Sequence, residues 1–255
     1  MKCTLAAAAC GLMLLSPVAQ SAEIKVLSSG AIKDAALELF PQFEKASSNK
    51  VNVTWAGTVD IKKKIAAGEV FDLVIVASPE AEAFLNDGKF VKGSKVDLVR
   101  SSVGVAVKAG APKPDLSSSE AVKKAVLAAK SVGYSTGPSG VYMQTLFEKM
   151  GIADQVKAKA TITKPGTTVA SVIRSGEAEI GFQQVSELIH EAGIDFLGPI
   201  PAEIQKVTTF SSGISVGAKA QTEARALQKF LTAPAAAPVI KKHGLERPAR
   251  APSAS

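Results

Sequence analysis

Short apolar segments alternate with helical patterns through most of this 255-residue chain, beginning at Glu23. Such alternation is typical of an α/β protein, because helices join successive parallel strands. Several apolar segments are continuous hydrophobic runs, which indicates strands covered on both faces. The predicted strands cover residues 24–27, 51–55, 73–77, 103–107, 132–135, 180–182 and 214–216. The sequence therefore predicts a mainly parallel sheet flanked by helices.

The helices between these strands are indicated by apolar residues that recur with the helical period. The first has a single apolar stripe, and Pro41 within it is expected to kink or shorten the helix. Ser117 and Glu120 form a capping box that predicts the start of another helix. Further helices are predicted over residues 141–150 and 224–231, and one is expected to begin near Ser186.

The first 21 residues have the pattern of a cleavable leader. A basic start at Lys2 is followed by an apolar run over residues 5–15 and by Ala19-Gln20-Ser21, the small-x-small pattern read by signal peptidase. We therefore expect residues 1–21 to be a signal peptide and the mature protein to be periplasmic. Both cysteines, Cys3 and Cys10, lie in this leader, so no disulfide is expected in the mature chain.

A stretch rich in Gly, Pro and Ser over residues 109–119 marks an expected boundary between two lobes, and a second crossing is expected near residues 205–215. The predicted organisation is a first lobe over residues 22–105, a second lobe over 106–205, a return to the first lobe over 206–246 and a disordered tail over 247–255. A ligand cleft is expected between the lobes.

The formal net charge is +7, with 30 Lys and Arg against 23 Asp and Glu. Nucleic-acid binding is not predicted, because there is no long basic run and the cluster Lys62-Lys63-Lys64 has no interleaved aromatic residues. The positive charge favours the attraction of small anions. Neither a metal nor a cofactor is predicted, since potential ligands are not clustered at metal-binding spacing. A catalytic triad is not indicated, because no nucleophile elbow accompanies His190 or His243.

Four junctions between a predicted strand and the following helix combine small residues with hydroxyl groups. They contain Ser28, Ser29 and Gly30, then Gly57 and Thr58, then Ser78, and finally Ser139 and Gly140. The start of a helix offers free backbone N–H groups and a positive dipole, which together can hold an anion. Each hydroxyl alone is better explained as a helix N-cap, but four such junctions in one chain favour an anion-binding cleft.

Three other polar residues are candidate ligand contacts. Arg100 ends a strand-like run near the predicted hinge and could bind a carboxylate in bidentate fashion, although an arginine on the surface is equally consistent. Gln183 follows a predicted strand and is the preferred amide contact. Its neighbour Gln184 is as well explained by bracing the turn.

Several segments resemble a known family: residues 24–30 (IKVLSSG), 72–75 (DLVI), 140–142 (GVY) and 181–184 (GFQQ). They are similar to type II periplasmic solute-binding proteins of the molybdate-binding-like group, over residues 23–244. The resemblance implies two α/β lobes that close over a small anion and deliver it to an ABC permease of the inner membrane. We expect a monomer. The positions matching the family's ligand contacts are Ser29, Thr58, Ser78, Ser139, Val141 and Gln183.

Two local departures bear on the ligand. Molybdate binders of this group carry a Tyr where this chain has Phe182-Gln183, and a Ser-rich loop where it has Ala56-Gly57-Thr58. These differences make molybdate a less favoured ligand than an organic carboxylate.

A second resemblance implies an alternative function. Residues 110–115, 139–142, 181–188 and 193–195 are similar to periplasmic aconitate isomerases on the same scaffold, whereas residues 55–65 are shorter than in those enzymes. An allylic proton shift of this kind needs a carboxylate clamp and an acid or base rather than a metal. Glu187 is the one carboxylate near a cleft loop that could act as the base, although a helix-surface position is the more expected one. Anion capture without turnover is the leading hypothesis.

Overall fold

The computed structural model describes residues 21–164 and 167–248. Apart from Ser21, the predicted signal peptide with its two cysteines lies outside the described residues, as do residues 249–255 of the predicted tail. Within the two described ranges, no helix is both long enough and apolar enough to cross a membrane.

Strands and helices alternate along the described chain. The strands are β1 (Glu23–Ser29), β2 (Lys50–Ala56), β3 (Leu73–Ala77), β4 (Val96–Lys108), β5 (Val132–Tyr134), β6 (Ala160–Ile162), β7 (Ile180–Gln184), β8 (Ile194–Pro199) and β9 (Val207–Ile214). The helices are α1 (Lys33–Ser47), α2 (Thr58–Ala66), α3 (Ser78–Asn86), α4 (Ser119–Ala128), α5 (Pro138–Lys149), α6 (Ala153–Lys157), α7 (Val169–Ser175), α8 (Gln221–Thr232) and α9 (Ala237–Lys242). Single 3-10 turns follow β1 (Gly30–Ile32) and β7 (Val185–Glu187).

The described strands form one sheet in the order β2-β1-β3-β9-β4-β7-β5-β6, with β8 also paired to β4. The long strand β4 changes neighbours along its length. Ser102 of β4 pairs with Val207 of β9, whereas the next residue, Val103, pairs with Gln184 of β7. Strand β4 therefore belongs to both halves of the sheet.

The two halves of the sheet have separate hydrophobic cores, two in each half among the described residues. Leu98 and Val99 of β4 pack in a core with residues of β1, β3, β9, α1 and α8. Val103 and Val105 pack instead with β5, β7, α4 and α5. We call these halves the first lobe (β1–β3, β9 and the start of β4) and the second lobe (β5–β8 and the end of β4). The predicted two-lobed α/β fold is confirmed.

The sheet is more mixed than the sequence predicts. Four strand pairs are parallel and four are antiparallel. Every antiparallel pair contains β4 or β9, the strands nearest the junction of the lobes. Antiparallel neighbours need no crossover helix, so alternation of helices and strands does not reveal them.

Several boundaries differ from the predicted ones. Strands β6 and β8 were not predicted, and β9 ends at Ile214, where the last predicted strand begins. Helix α5 starts at Pro138, three residues before the predicted start. Helix α4 is capped by the Ser118 side chain, which accepts from the Ala121 N–H at 3.1 Å, and not by Ser117.

Helix α1 continues through Pro41 and is not shortened there. Pro41 cannot donate to the carbonyl of Leu37, but both residues are exposed, so water can bind that carbonyl. At the other end of the described chain, Arg247 was assigned to the disordered tail. The structure instead shows it donating to the carbonyls of Leu231 and Ala233 at 2.8 and 2.7 Å.

A buried carboxylate joins β1 to α8 in the first lobe. Asp72 is 5% exposed and accepts from the backbone N–H groups of Lys25, Lys219 and Ala220 at 2.8, 2.7 and 2.9 Å. The Asp72 carboxylate therefore accepts three backbone hydrogen bonds from two separate segments of the chain.

We expect Asp72→Ala to lower the free energy of unfolding by about 3 kcal/mol, because it leaves these buried N–H groups without acceptors. Asp87→Ala is the matched control, since Asp87 is exposed, and it should change stability by less than about 0.5 kcal/mol. Urea denaturation measures both values. Equal effects of the two substitutions would contradict the assigned role of Asp72.

Candidate functional site

A cavity lies where strands of both lobes reach their carboxyl ends. Its empty volume is about 880 Å³, counting the open mouth. The first lobe contributes Ser29, Gly30, Lys33, Asp34, Trp55, Ala56 and Gly57. The second lobe contributes Ser135, Thr136, Gly137, Pro138, Thr163, Lys164, Thr167, Thr168, Gln183, Ser186, Glu187 and Glu191. Ligands of open α/β sheets bind in crevices of this kind.

Helix starts supply part of the cavity wall. The Ser29 hydroxyl accepts from the Ala31 N–H at 3.3 Å before α1, and the Thr168 hydroxyl accepts from the Ser171 N–H at 3.1 Å at the start of α7. Gly57 and Gly137 precede α2 and α5. The cavity is therefore bordered by N-terminal helix ends of both lobes, whose dipoles favour negative charge.

The lobes approach each other closely at Gly57. A β-carbon at this position would lie 2.6 Å from the hydroxyl oxygen of Thr136, which is closer than any van der Waals contact allows. Glycine at this position therefore permits the observed approach of the first lobe to the loop before α5.

Glu187 places a carboxyl group in the cavity. The Gln183 amide nitrogen donates to Glu187 Oε1 at 2.8 Å. The same oxygen lies 2.8 Å from the position that a β-carbon of Gly30 would occupy, so the carboxyl of the second lobe fits against bare backbone of the first. Glu187 is partly accessible from the cavity.

Burial raises the pKa of the Glu187 carboxyl to about 7, because the charged form loses hydration. The hydrogen bond from Gln183 opposes this effect, whereas the neighbouring negative charge of Asp34 adds to it. The positive charge of Lys33 lowers the pKa by a smaller amount. At neutral pH Glu187 therefore exists in both protonation states, as a general acid or base requires.

The predicted helix-surface position of Glu187 is wrong. The segment after β7 makes only one 3-10 turn, Val185–Glu187, instead of the predicted helix. Ser186 in this turn donates to the carbonyl of Ala31 at 2.7 Å, which fixes the turn against the first lobe. The carboxyl of Glu187 consequently lies at the junction of the lobes.

The structure brings four of the predicted ligand residues to the cavity: Ser29, Gly30, Gly57 and Gln183. Three others, Thr58, Ser78 and Val141, line a second and wider cleft that shares Pro138 with the first. Contact of these residues with a ligand remains a prediction.

The remaining predicted residues line neither opening. The Ser28 hydroxyl donates to the carbonyl of Ser29 at 3.1 Å. Gly140 packs on the loop before α5, where a β-carbon would collide with the carbonyl of Ser135. Arg100 exchanges two backbone hydrogen bonds with Glu246, at 2.7 and 2.9 Å, and the structure does not bring it to the cavity.

Three buried hydroxyls have no hydrogen-bond partner among the described residues, and two of them lie at helix starts, the third being that of Ser215. The two at helix starts belong to Thr58 in the first turn of α2, 5% exposed, and to Ser139 in the first turn of α5, 1% exposed. A buried polar group without a partner costs free energy, so such groups often mark a ligand site. Thr58 lines the second cleft, whereas Ser139 lines neither opening.

Sequence reasoning missed several charged residues of the cavity, among them Lys33, Asp34 and Lys164. Lys33 and Asp34 lie one helical turn after Gly30, so the sequence could have placed them next to the predicted anion site. Lys164 could not be assigned, because its loop depends on the packing of β6. Within the described ranges, no group of three or more His, Cys, Asp or Glu residues is arranged to hold a metal ion.

Comparison with known proteins places this architecture in a family. The model of the family described as bacterial extracellular solute-binding protein matches residues 24–246. The chain belongs to this family.

Among relatives of this solute-binding protein, an aconitate isomerase of Pseudomonas sp is 37% identical over 229 residues, covering 88% of this chain and 87% of that protein. The molybdate-binding protein ModA of Azotobacter vinelandii is 25% identical, covering 92% and 94%. A solved structure of the periplasmic molybdate-binding protein of Azotobacter vinelandii superposes on this chain with a TM-score of 0.75 and 20% sequence identity. The superposition covers 89% of this chain and 100% of that chain. The resemblance to the molybdate-binding-like group is confirmed.

The contact at Gly57 gives a test of how the lobes meet. We expect Gly57→Ala to destabilise the protein and Thr136→Ala to relieve part of that loss, with a coupling free energy of about 1 kcal/mol between the two sites. Thr136→Ser is the matched control, because it keeps the hydroxyl oxygen and should not relieve the loss. Urea denaturation of the single and double variants measures the coupling. Additive effects of Gly57→Ala and Thr136→Ala would show that the residues do not meet in solution.

Proposed function

We propose that the protein captures a small organic polycarboxylate between its lobes and isomerises it by moving a proton through Glu187. The observation that carries the proposal is the partly accessible Glu187 carboxyl, held by Gln183 at the edge of the cavity with its pKa raised to about 7. A site built only to hold an anion gains nothing from a carboxyl group, because its negative charge repels the ligand.

Capture of a polycarboxylate is supported by the charges on the two sides of the cavity. Lys33 belongs to the first lobe and Lys164 to the second, so carboxylates at opposite ends of one molecule can each meet a cation.

The proposed chemistry is a 1,3-allylic proton shift. Ionised Glu187 removes a proton from the methylene carbon next to the double bond, and the electron pair of that C–H bond becomes delocalised towards a carboxylate. The same carboxyl then returns a proton to the far carbon of the allylic system, so the double bond moves and its geometry can change. No proton is gained or lost overall, and nothing is oxidised. The 37% identical relative named aconitate isomerase supports trans-aconitate and cis-aconitate as the substrate pair.

The second candidate is the binding protein of an ABC transporter. The family description, extracellular solute-binding protein, and the relative named molybdate-binding protein support it. In this function the protein is a periplasmic monomer that closes over a carboxylate or an oxyanion and presents it to an inner-membrane permease. Stabilisation by trans-aconitate without any conversion of it would favour this candidate.

Turnover tests the proposal directly. We expect purified protein to convert trans-aconitate into cis-aconitate, and Glu187→Gln to lower kcat by about 10²–10⁴-fold, the usual contribution of a general acid or base. Glu148→Gln, in the exposed part of α5 outside the cavity, is the matched control and should keep full activity. Chromatography of both isomers provides the measurement. No conversion by the wild-type protein would exclude the isomerase.

The raised pKa of Glu187 also predicts a pH dependence of stability. Folded Glu187 retains its proton up to about pH 7, whereas in the unfolded chain a Glu loses it near pH 4.3. Protonation of Glu187 in the folded state therefore contributes to the free energy of unfolding. This contribution is complete below the pKa of Glu in the unfolded chain and is lost as the pH rises through 7. Relative to Glu187→Gln, the wild-type protein should therefore become less stable between about pH 4 and 7. A difference in unfolding free energy that stays constant over this range would contradict the raised pKa.

A further inference from the structure

Both polar atoms of the Gln183 side-chain amide form hydrogen bonds. This residue lies in β7 and is 3% exposed. Its amide oxygen accepts from the backbone N–H of Val169 at 3.0 Å, and its amide nitrogen donates to Glu187 Oε1 at 2.8 Å. The amide therefore connects the start of α7 to the carboxyl in the cavity.

The orientation of this amide is determined by its partners. The N–H of Val169 is only a donor, so it must face the amide oxygen and not the NH₂ group. The NH₂ group is consequently directed at Glu187, where it can only donate. The arrangement holds in both protonation states of Glu187, because Oε1 accepts a hydrogen bond whether or not the carboxyl is ionised.

The Glu187 carboxyl is thereby fixed through one oxygen. Oε1 receives the hydrogen of Gln183 and lies against the backbone of Gly30, where a β-carbon would come within 2.8 Å of it. The carboxyl is therefore held by a donor of the second lobe and by contact with the backbone of the first.

We propose that Gln183 is a positioning residue that holds the Glu187 carboxyl in one orientation, with Oε1 accepting the amide hydrogen. This inference deepens the proposed function and rests on it for the role of the proton. It gives Gln183 a different task from the direct ligand contact that the sequence suggests, because Gln183 acts through Glu187.

Other charges also influence Glu187 and must stay constant in a test. Lys33 and Asp34 face it from α1, and Lys164 and Glu191 line the same cavity. Gln183→Met removes the amide donor while leaving all four in place, and methionine has nearly the same length as glutamine. The hydrogen bond from Gln183 favours the ionised carboxyl, so its loss raises the pKa of Glu187.

The experiment is an NMR titration of protein labelled with ¹³C at the glutamate carboxyl carbons, without any ligand. Comparison with Glu187→Gln assigns the Glu187 signal. We expect Gln183→Met to move the titration midpoint of Glu187 upward by about one pH unit, from about 7 in the wild-type protein. Gln228→Met is the matched control, because Gln228 is equally buried and hydrogen-bonded to Ser94 and Ser212 in the first lobe. It should leave the midpoint unchanged.

Gln183→Glu provides a second, isosteric variant in case Gln183→Met does not fold. Its oxygen can still accept from Val169, and its negative charge next to Glu187 should also raise the midpoint. An unchanged midpoint in the folded variant, by either substitution, overturns the positioning role. Because the titration needs no substrate, a raised midpoint together with absent turnover would reject the isomerase while keeping the role of Gln183.

Discussion

Strand β4 contributes to separate hydrophobic cores in the two lobes, and the rest of the molecule depends on this constraint. Its first half packs through Leu98 and Val99 in the first lobe, and its second half packs through Val103 and Val105 in the second. Between them the Gln205 side chain binds both the N–H and the carbonyl of Val103, at 2.8 and 3.0 Å. The lobes are therefore joined along β4, and their strand ends face a common cavity.

A site made of helix N-termini and lysines attracts negative charge, yet Asp34, Glu187 and Glu191 also line this one, and Glu187 lies at the junction of the lobes. The two facts are compatible because burial raises the pKa of Glu187 to about 7, so that the group carries its full charge only part of the time at neutral pH. Gln183 and Gly30 hold the carboxyl at the junction of the lobes. Burial disfavours the ionised form of Glu187, and with a pKa near neutral pH the carboxyl can both donate and accept a proton.

The fold could be predicted to a large extent, because continuous apolar strands such as β3 and amphipathic helices such as α1 carry strong periodic signals. Strand β9 was largely missed since its buried positions include Thr208, Ser211 and Ser212, which satisfy their hydroxyls by hydrogen bonds and hide the apolar pattern. Strand β6 is short and lies at the sheet edge. Of the site, the residues after β1 and β2 could be placed, but the burial of Glu187 depends on a single 3-10 turn that resembles a helix in sequence.

A crystal structure of Glu187→Gln with trans-aconitate bound tests the central claim most directly. The account predicts the ligand between the lobes, with a carboxylate near each of Lys33 and Lys164 and with its methylene carbon next to the side-chain amide of residue 187. That variant keeps the shape of the carboxyl while removing proton transfer, so the substrate should remain intact. A ligand bound away from residue 187, or bound on the outer surface of one lobe, would contradict the account.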